Sequence, residues 1–330
     1  MAARVRNTQG RVGRRHLGAT AAAFLMTPLA VSAQQTEQTP RNVAAHASAA
    51  NRPLPIFYDA ALVAKGFPSP LVKARIAGHE ALFIIDSGAS VTVVADWYAR
   101  LAKIPIATAA GAATGSGGKT ATVRTTHRLQ GHWSDGQGFT LTEAIVVAFP
   151  PLFETLHLGG LVSPQLLAPV GTAAALDLKT PSLRFVPFAR ALSDLHLSHA
   201  VTVPQPVCRN PDSQFVNRLY LVPVTSAGVT DLMLVDTGAT KTIFSTESQI
   251  THAIEPATEL GPRSEGVGGE VSGQRIVRNV QLLRGGKAVA VNPSIGAVSA
   301  PCDAKGLLGM DALRSCLLIL GDSEMAFSCD

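Results

Sequence analysis

One segment of the chain occurs twice, and this internal repeat limits the fold more than any other feature. Residues 82–90 read Leu-Phe-Ile-Ile-Asp-Ser-Gly-Ala-Ser, and residues 232–240 read Leu-Met-Leu-Val-Asp-Thr-Gly-Ala-Thr. Two further landmarks follow each copy at similar spacing: Gly-x-Gly-Gly (115–118 and 266–269) and Gly-Leu-apolar (160–163 and 306–309). Three landmarks in one order are hard to obtain by chance, so we predict two similar lobes.

The sequence around the repeats predicts a mainly β fold. Short apolar or β-branched runs alternate with Gly, Pro, Asn and Asp, as in strands joined by turns; these runs are 71–76, 81–85, 91–94, 139–148 and 219–224. Predicted helices are few and short: 96–102, 164–167, 247–254 and 310–315. We place the lobes at residues 53–188 and 214–330, joined by a linker at 189–213. Each lobe ends in a predicted hairpin, at 175–185 and 317–327.

Residues 1–33 have the pattern of an export signal. Five arginines and no acidic residue accompany a short apolar run, and Val31-Ser32-Ala33 offers a cleavage site. A plain secretory signal and a twin-arginine signal at Arg14-Arg15 both remain open. We expect cleavage near Ala33, a flexible leader at 34–52, and a periplasmic or secreted protein without a stable membrane anchor.

The formal net charge of +5 comes from this same segment. Without residues 1–33 the basic and acidic residues are equal in number. Aromatic residues make up 5% of the chain, which leaves little material for base stacking. The sequence therefore predicts no nucleic-acid partner.

The four cysteines all lie in the second half of the chain, at Cys208, Cys302, Cys316 and Cys329. None forms C-x-x-C, so neither a zinc site nor thioredoxin-type chemistry is expected. In an exported protein they suggest two disulfides, with three possible connectivities. Cys316 and Cys329 flank the last predicted hairpin and could pair across it, which would leave Cys208 for Cys302.

The repeated motif places an acid directly after an apolar strand, at Asp86 and Asp236. A carboxylate there is costly to bury unless it is hydrogen-bonded, and the glycine two positions later leaves backbone N–H groups free to bind it. If a pseudo-twofold axis relates the lobes, the two carboxyl groups meet. Two carboxyl groups in contact cannot both ionise, so they share one proton and provide an acid and a base.

Taken together, the paired motifs resemble the retropepsin-like aspartic proteases, in a fused, two-lobe, single-chain bacterial form. The resemblance implies two pseudo-twofold-related β-barrel lobes with an active-site cleft between them. It implies an aspartic endopeptidase in which Asp86 and Asp236 activate a water, with no metal or organic cofactor. The shared proton of such a dyad is an established property of that family. The active-site loops comprise Ser87, Gly88, Ala89, Thr237, Gly238 and Ala239.

The resemblance also implies roles for the residues around the dyad. The hydroxyls of Ser87 and Thr237 would bond across to the opposite loop. Two mobile flaps would cover an extended polypeptide substrate; they comprise Gly115, Ser116, Gly117, Gly118, Gly266, Val267, Gly268 and Gly269. Because one chain holds both half-sites, dimerisation is not required.

Two departures from the family pattern affect these expectations. Ser163 stands where the second lobe has Gly309, so packing behind the Asp86 loop should differ. Ala89 and Ala239 lack a hydroxyl that could stabilise the charged dyad, which raises its pKa. We therefore expect activity at mildly acidic to neutral pH.

Other signals are weaker. Residues 113–120 imitate a P-loop, but a strand-like run follows them where a P-loop needs a helix. His196 and His199 lie in the linker without a third metal ligand. The alternative function is a non-catalytic peptide-binding or regulatory module that keeps the fold. The repeat argues against a structural envelope protein with coincidental motifs.

Overall fold

A computed structural model describes residues 52–114, 120–126, 128–141, 144–194, 201–203, 207–208, 218–254, 258–261, 264–266, 269–271, 274–298 and 302–330. The predicted export signal, nearly all of the predicted leader and the two linker histidines lie outside these ranges. So do Gly115–Gly118, Val267 and Gly268 of the predicted flaps.

Seven short helices are interspersed among the strands of the described ranges. The strands are β1 (Leu54–Pro55), β2 (Leu71–Ile76), β3 (His79–Ile85), β4 (Val93–Ala95), β5 (Ile106–Thr114), β6 (Thr120–Thr126), β7 (Leu129–Trp133), β8 (Gly138–Leu141), β9 (Ala144–Val147), β10 (Leu158–Val162), β11 (Ala173–Asp177), β12 (Ser182–Val186), β13 (Val201–Val203), β14 (Val207–Cys208), β15 (Leu219–Ser226), β16 (Val229–Val235), β17 (Ile243–Ser245), β18 (Thr258–Leu260), β19 (Ser264–Gly266), β20 (Gly269–Val271), β21 (Arg275–Val277), β22 (Val280–Arg284), β23 (Lys287–Val291), β24 (Ser294–Gly296), β25 (Gly306–Leu308), β26 (Cys316–Leu320) and β27 (Met325–Cys329). The helices are α1 (Ala60–Ala64), α2 (Asp96–Leu101), α3 (Pro151–Thr155), α4 (Pro164–Leu167), α5 (Phe188–Asp194), α6 (Gln249–Ile254) and α7 (Met310–Leu313).

Two large sheets repeat one strand order, which confirms the mainly β, two-lobed fold. The first runs β5-β6-β9-β4-β10-β3-β2-β7-β8, and the second runs β18-β21-β24-β17-β25-β16-β15-β22-β23. In each sheet, the strand that precedes the repeated aspartate is parallel to the strand that contains the Gly-Leu-apolar segment. These pairs are β3 with β10 and β16 with β25. The sequence repeat is therefore a structural repeat, and equivalent residues occupy equivalent positions in the two sheets.

A third sheet joins the two halves of the chain. The predicted terminal hairpins form β11–β12 and β26–β27, and β11 pairs antiparallel with β26, bringing Ala175 opposite Ile319. With β1 and β13 these strands make a six-stranded sheet. Strands from both halves of the chain hydrogen-bond to each other in this sheet, so the sheet holds the two copies of the motif in one compact unit.

The last hairpin also carries a disulfide, in one of the pairings that the sequence left open. Cys316 lies opposite Cys329 in the β26–β27 register, and the two are disulfide-bonded with a Cα–Cα distance of 4.0 Å. Cys302 is disulfide-bonded as well.

One predicted strand is wrong. Residues 139–148 do not form a single strand: β8 pairs with β7 at one edge of the first sheet, whereas β9 pairs with β4 and β6 near the other. β8 alternates exposed and buried positions, but β9 is buried throughout. The apolar run concealed this change because each half separately has strand composition. The four predicted helices are present with ends shifted by at most two residues, and α1, α3 and α5 were not predicted.

Packing against the sheets encloses a continuous apolar core. One cluster of buried side chains includes members from both large sheets and from the six-stranded sheet, among them Phe83, Leu176, Phe244 and Phe327. Among the described residues, no helix is long and apolar enough to cross a membrane.

Candidate active site

The two repeated aspartates stand at equivalent strand ends. Asp86 follows β3 directly, and Asp236 follows β16. The Asp86 N–H donates to Val162 O at 2.9 Å, and the Asp236 N–H donates to Leu308 O at 3.1 Å. Each motif is thus tied to the neighbouring parallel strand, which sets where its carboxyl group emerges. Both residues are buried, with 8% and 9% of their surfaces exposed.

The loops after the two aspartates exchange hydrogen bonds through their hydroxyl groups. Ser87 Oγ donates to Val235 O at 2.8 Å, and Thr237 Oγ1 donates to Ile85 O at 2.7 Å. The same oxygens accept from the opposite backbone, Ser87 Oγ from Thr237 N at 3.1 Å and Thr237 Oγ1 from Ser87 N at 3.0 Å. Ser87 and Thr237 are both fully buried. The cross-loop bonding that the resemblance implied is present, and it fixes the spacing of the two motifs.

The motif glycines allow the two carboxyl groups to approach the opposite loops. A Cβ added at Gly88 would lie 2.6 Å from Asp236 Cγ, and one added at Gly238 would lie 2.5 Å from Asp86 Cγ. Carbon atoms in ordinary contact are about 3.5–4 Å apart. No side chain larger than hydrogen fits at either position unless the facing carboxyl group moves.

Backbone N–H groups hold the two carboxylates unequally. Gly238 N and Ala239 N both donate to Asp236 Oδ1 at 2.9 Å. Gly88 N donates to Asp86 Oδ1 at 2.8 Å; the Ala89 N–H also lowers the pKa of Asp86, but its hydrogen bond, at 3.4 Å, is to the main-chain oxygen of that residue. Since N–H donors stabilise the charged form, Asp236 is the better-stabilised carboxylate.

The two side chains are hydrogen-bonded to each other, and this contact perturbs their titration. Burial raises the pKa of Asp86 well above its ordinary value; the charge of Asp236 and the bond to it raise it further. Burial also raises the pKa of Asp236, while the N–H groups of Ala239 and Gly238 and the bond from Asp86 oppose the rise. The pair therefore shares one proton over a range of pH.

Helices α4 and α7 support the two loops in different ways. In the second lobe, Asp311 Oδ1 accepts from Thr242 N at 2.8 Å and from Thr242 Oγ1 at 2.7 Å, and Met310 N donates to Ala239 O at 2.9 Å. In the first lobe the equivalent of Asp311 is Gln165. Its side-chain amide nitrogen reaches the carbonyl oxygens of Ser87 at 3.1 Å and Ala89 at 3.3 Å.

Sequence reasoning missed both Gln165 and Asp311 as residues that support the site. The signal was available, because the offset between the Gly-Leu-apolar segments aligns position 165 with position 311. The alignment alone did not indicate a role for either residue, because the loops that these side chains contact are known only from the structure. The departure noted at Ser163 is real: Ser163 is fully buried, and its hydroxyl has no hydrogen-bond partner among the described residues.

The described strands on either side of each predicted flap form an antiparallel pair. Strands β5 and β6 pair as far as Thr114 and Thr120, so Gly115–Gly118 fall in the connection between them, outside the described residues. In the second half β19 and β20 pair as far as Gly266 and Gly269, with Val267 and Gly268 between them also outside. Each predicted flap is therefore associated with an antiparallel hairpin.

A family model described as aspartyl protease matches this chain twice, at residues 72–160 and 222–312. The matches cover more than half of the chain, and each contains one aspartate of the pair. The chain belongs to the aspartyl protease family. The same model thus recognises each lobe separately, in agreement with the repeated strand order.

Comparison with solved structures gives a more distant similarity. The crystal structure of basic 7S globulin from soybean matches with a TM-score of 0.47 and 12% sequence identity, over 84% of this chain and 94% of that one. No curated protein matches the chain significantly. Among the described residues, no group of three or more His, Cys, Asp or Glu side chains is placed to hold a metal ion.

Proposed function

We propose that this protein is an aspartic endopeptidase in which Asp86 and Asp236 jointly activate a water molecule. The observation that carries the proposal is the hydrogen bond between two buried carboxyl groups, one from each lobe. Both groups are held by backbone N–H donors and by hydroxyl bonds that cross between their loops. Burial of two adjacent carboxyl groups costs free energy, and such perturbed pairs are typical of catalytic sites.

The unequal environments assign the two roles. Asp236, with two N–H donors on one oxygen, carries the negative charge and accepts a proton from the attacking water. Asp86 carries the shared proton and donates it toward the oxygen of the scissile carbonyl, which stabilises the tetrahedral intermediate. One proton enters the pair as one leaves it, so the dyad keeps its net charge. This chemistry uses the chain's own carboxyl groups and requires no metal or organic cofactor.

The proposed substrate is a polypeptide in extended conformation. Hairpins β5–β6 and β19–β20, with the predicted flaps at their connections, would add main-chain hydrogen bonds to the bound strand. Both aspartates come from one chain, so we propose that activity does not require a homodimer. Nucleic acid is not a proposed partner.

We propose that the protein is exported to the periplasm or secreted. The pattern of residues 1–33 supports this proposal, and so does the Cys316–Cys329 disulfide, because such bonds persist in oxidising compartments. We further propose that cleavage of the signal leaves no stable membrane anchor.

The test is digestion of a peptide library by wild type, Asp86→Asn and Asp236→Asn, with Asp303→Asn as the matched control. Asp303 is exposed and has a φ of 58°, a conformation that asparagine tolerates. We expect wild type and the control to cleave the same bonds and both dyad variants to be inactive. Equal cleavage by all four proteins would overturn the mechanism. Binding without cleavage by wild type would favour the non-catalytic peptide-binding or regulatory module.

A further inference from the structure

Gln165 is a buried polar residue that joins the Asp86 loop to the start of the second lobe. It belongs to α4 and has 1% of its surface exposed. Its side-chain nitrogen lies 3.1 Å from Ser87 O, 3.3 Å from Ala89 O and 2.8 Å from Arg218 O. All three neighbours are carbonyl oxygens, so only the NH₂ end of the amide can face them. The orientation of the side chain is therefore unambiguous.

These contacts fix one peptide group from both sides. The carbonyl oxygen of Ser87 and the N–H of Gly88 belong to the same planar peptide and point in opposite directions. Gln165 binds that carbonyl, and the Gly88 N–H donates to Asp86 Oδ1 at 2.8 Å. The peptide is thus held between the amide and the carboxylate. Hydrogen bonds in such a chain also polarise one another, which strengthens the bond to the carboxylate.

Among the described residues of the second lobe, no side-chain amide binds the equivalent carbonyl oxygen. Asp311 aligns with Gln165, but its side chain has no N–H group to donate. Its carboxylate instead accepts hydrogen bonds from Thr242. Asp236 Oδ1 accepts from two N–H groups at 2.9 Å, whereas Asp86 Oδ1 accepts from one at 2.8 Å and is affected more weakly by that of Ala89. The Gly88 N–H that binds Asp86 therefore belongs to a peptide whose carbonyl oxygen is held by a side-chain amide.

We propose that Gln165 is a positioning residue for Asp86, which holds the Ser87–Gly88 peptide so that its N–H faces the carboxylate. Through Arg218 O the same amide ties this orientation to the junction with the second lobe. The Arg218 guanidinium is ion-paired with Asp322 and lies within 3.5 Å of the Gln165 main-chain oxygen. Among the described residues, Asp236 is the one charged group that acts on Asp86.

The proposal rests on the endopeptidase function only for its activity readout, and its main test does not use activity. Wild type, Gln165→Met and Gln130→Met would be labelled with ¹³C at the aspartate carboxyl carbon and titrated by NMR. Methionine has nearly the size of glutamine but no amide, and Gln130 is an exposed residue of β7. We expect the apparent pKa of Asp86 to rise by about half a unit to one unit in Gln165→Met, the effect of one ordinary hydrogen bond to the charged form. The control should titrate like wild type.

A folded Gln165→Met protein whose Asp86 titrates as in wild type would overturn the proposal, even if its melting temperature falls. If that variant does not fold, the wild-type protein still decides the question. The side-chain amide resonances of Gln165 should shift with the titration of Asp86, because the peptide between them transmits the change. Amide resonances that stay constant through that titration would also overturn the proposal. If the protein cleaves peptides, the pH dependence of kcat/KM in Gln165→Met should move in the same direction as the carboxyl titration.

Discussion

Replacing Gly88 by alanine is the perturbation whose size follows most directly from the structure. The new Cβ would lie 2.6 Å from Asp236 Cγ and 2.8 and 2.9 Å from its two oxygens. Ordinary carbon contacts begin near 3.5 Å, so the carboxyl group or the loop must move by roughly 1 Å. A misplacement of about 1 Å at a catalytic group lowers the rate about 100-fold, and overpacking costs about 1–3 kcal/mol of unfolding free energy.

The assay is kcat/KM on a cleaved peptide together with urea unfolding, for wild type, Gly88→Ala and Gly138→Ala. Gly138 is the matched control, because it is an exposed glycine of β8 and its added Cβ would meet no atom closer than 3.9 Å. We expect the control to behave as wild type and Gly88→Ala to lose about 100-fold in kcat/KM while most molecules remain folded. Activity within twofold of wild type in Gly88→Ala would refute the close approach on which this reasoning depends.

Three further predictions concern stability. Burial raises the pKa of Asp86, so the native state keeps a proton that the unfolded chain releases near pH 4. Wild type should therefore lose stability relative to Asp86→Asn as pH rises above about 4, by up to about 1.4 kcal/mol per pH unit; parallel stability curves would contradict this. Thr237→Val keeps the side-chain shape but leaves the buried Ser87 N–H and the buried Ile85 carbonyl without their hydroxyl partner. Urea unfolding should show that the free energy of unfolding falls by about 1–3 kcal/mol for each group, and a total decrease below about 0.5 kcal/mol would count against the cross-loop bonds. Replacing both Cys316 and Cys329 by serine should cost about 3 kcal/mol for a separation of 13 residues, and reduction should then affect the variant less than wild type.

The sequence predicted the parts of the site that local patterns encode. The repeated Asp-Ser/Thr-Gly-Ala motifs placed the two aspartates, and the positions of Cys316 and Cys329 around a turn indicated that these two cysteines could pair, as they do. A repeat carries this information because symmetry converts two local motifs into one long-range contact. The two-lobed architecture followed from the same argument.

The features that were not predicted depend on pairing between distant segments. Residues 139–148 contain no Gly or Pro to mark a turn, yet β8 and β9 pair at opposite sides of a sheet. The meeting of β11 with β26 makes the six-stranded sheet, and nothing in either strand specifies the other. Helix α4, which contains Gln165, has no unusual composition, and the contacts of Gln165 form only when the Asp86 loop is in place. Register and tertiary contacts decide such features, so local propensity could not show them.

The central claim is that Asp86 and Asp236 act as one acid–base unit. A double-mutant cycle tests it most directly: kcat/KM on one peptide for wild type, Asp86→Asn, Asp236→Asn and the double variant, all confirmed to be folded. Residues that work as a unit are strongly non-additive. We predict that each single variant loses about 10³-fold or more, and that the double variant loses no more than either single one. Losses that multiply in the double variant, or wild-type activity in either single variant, would contradict the claim.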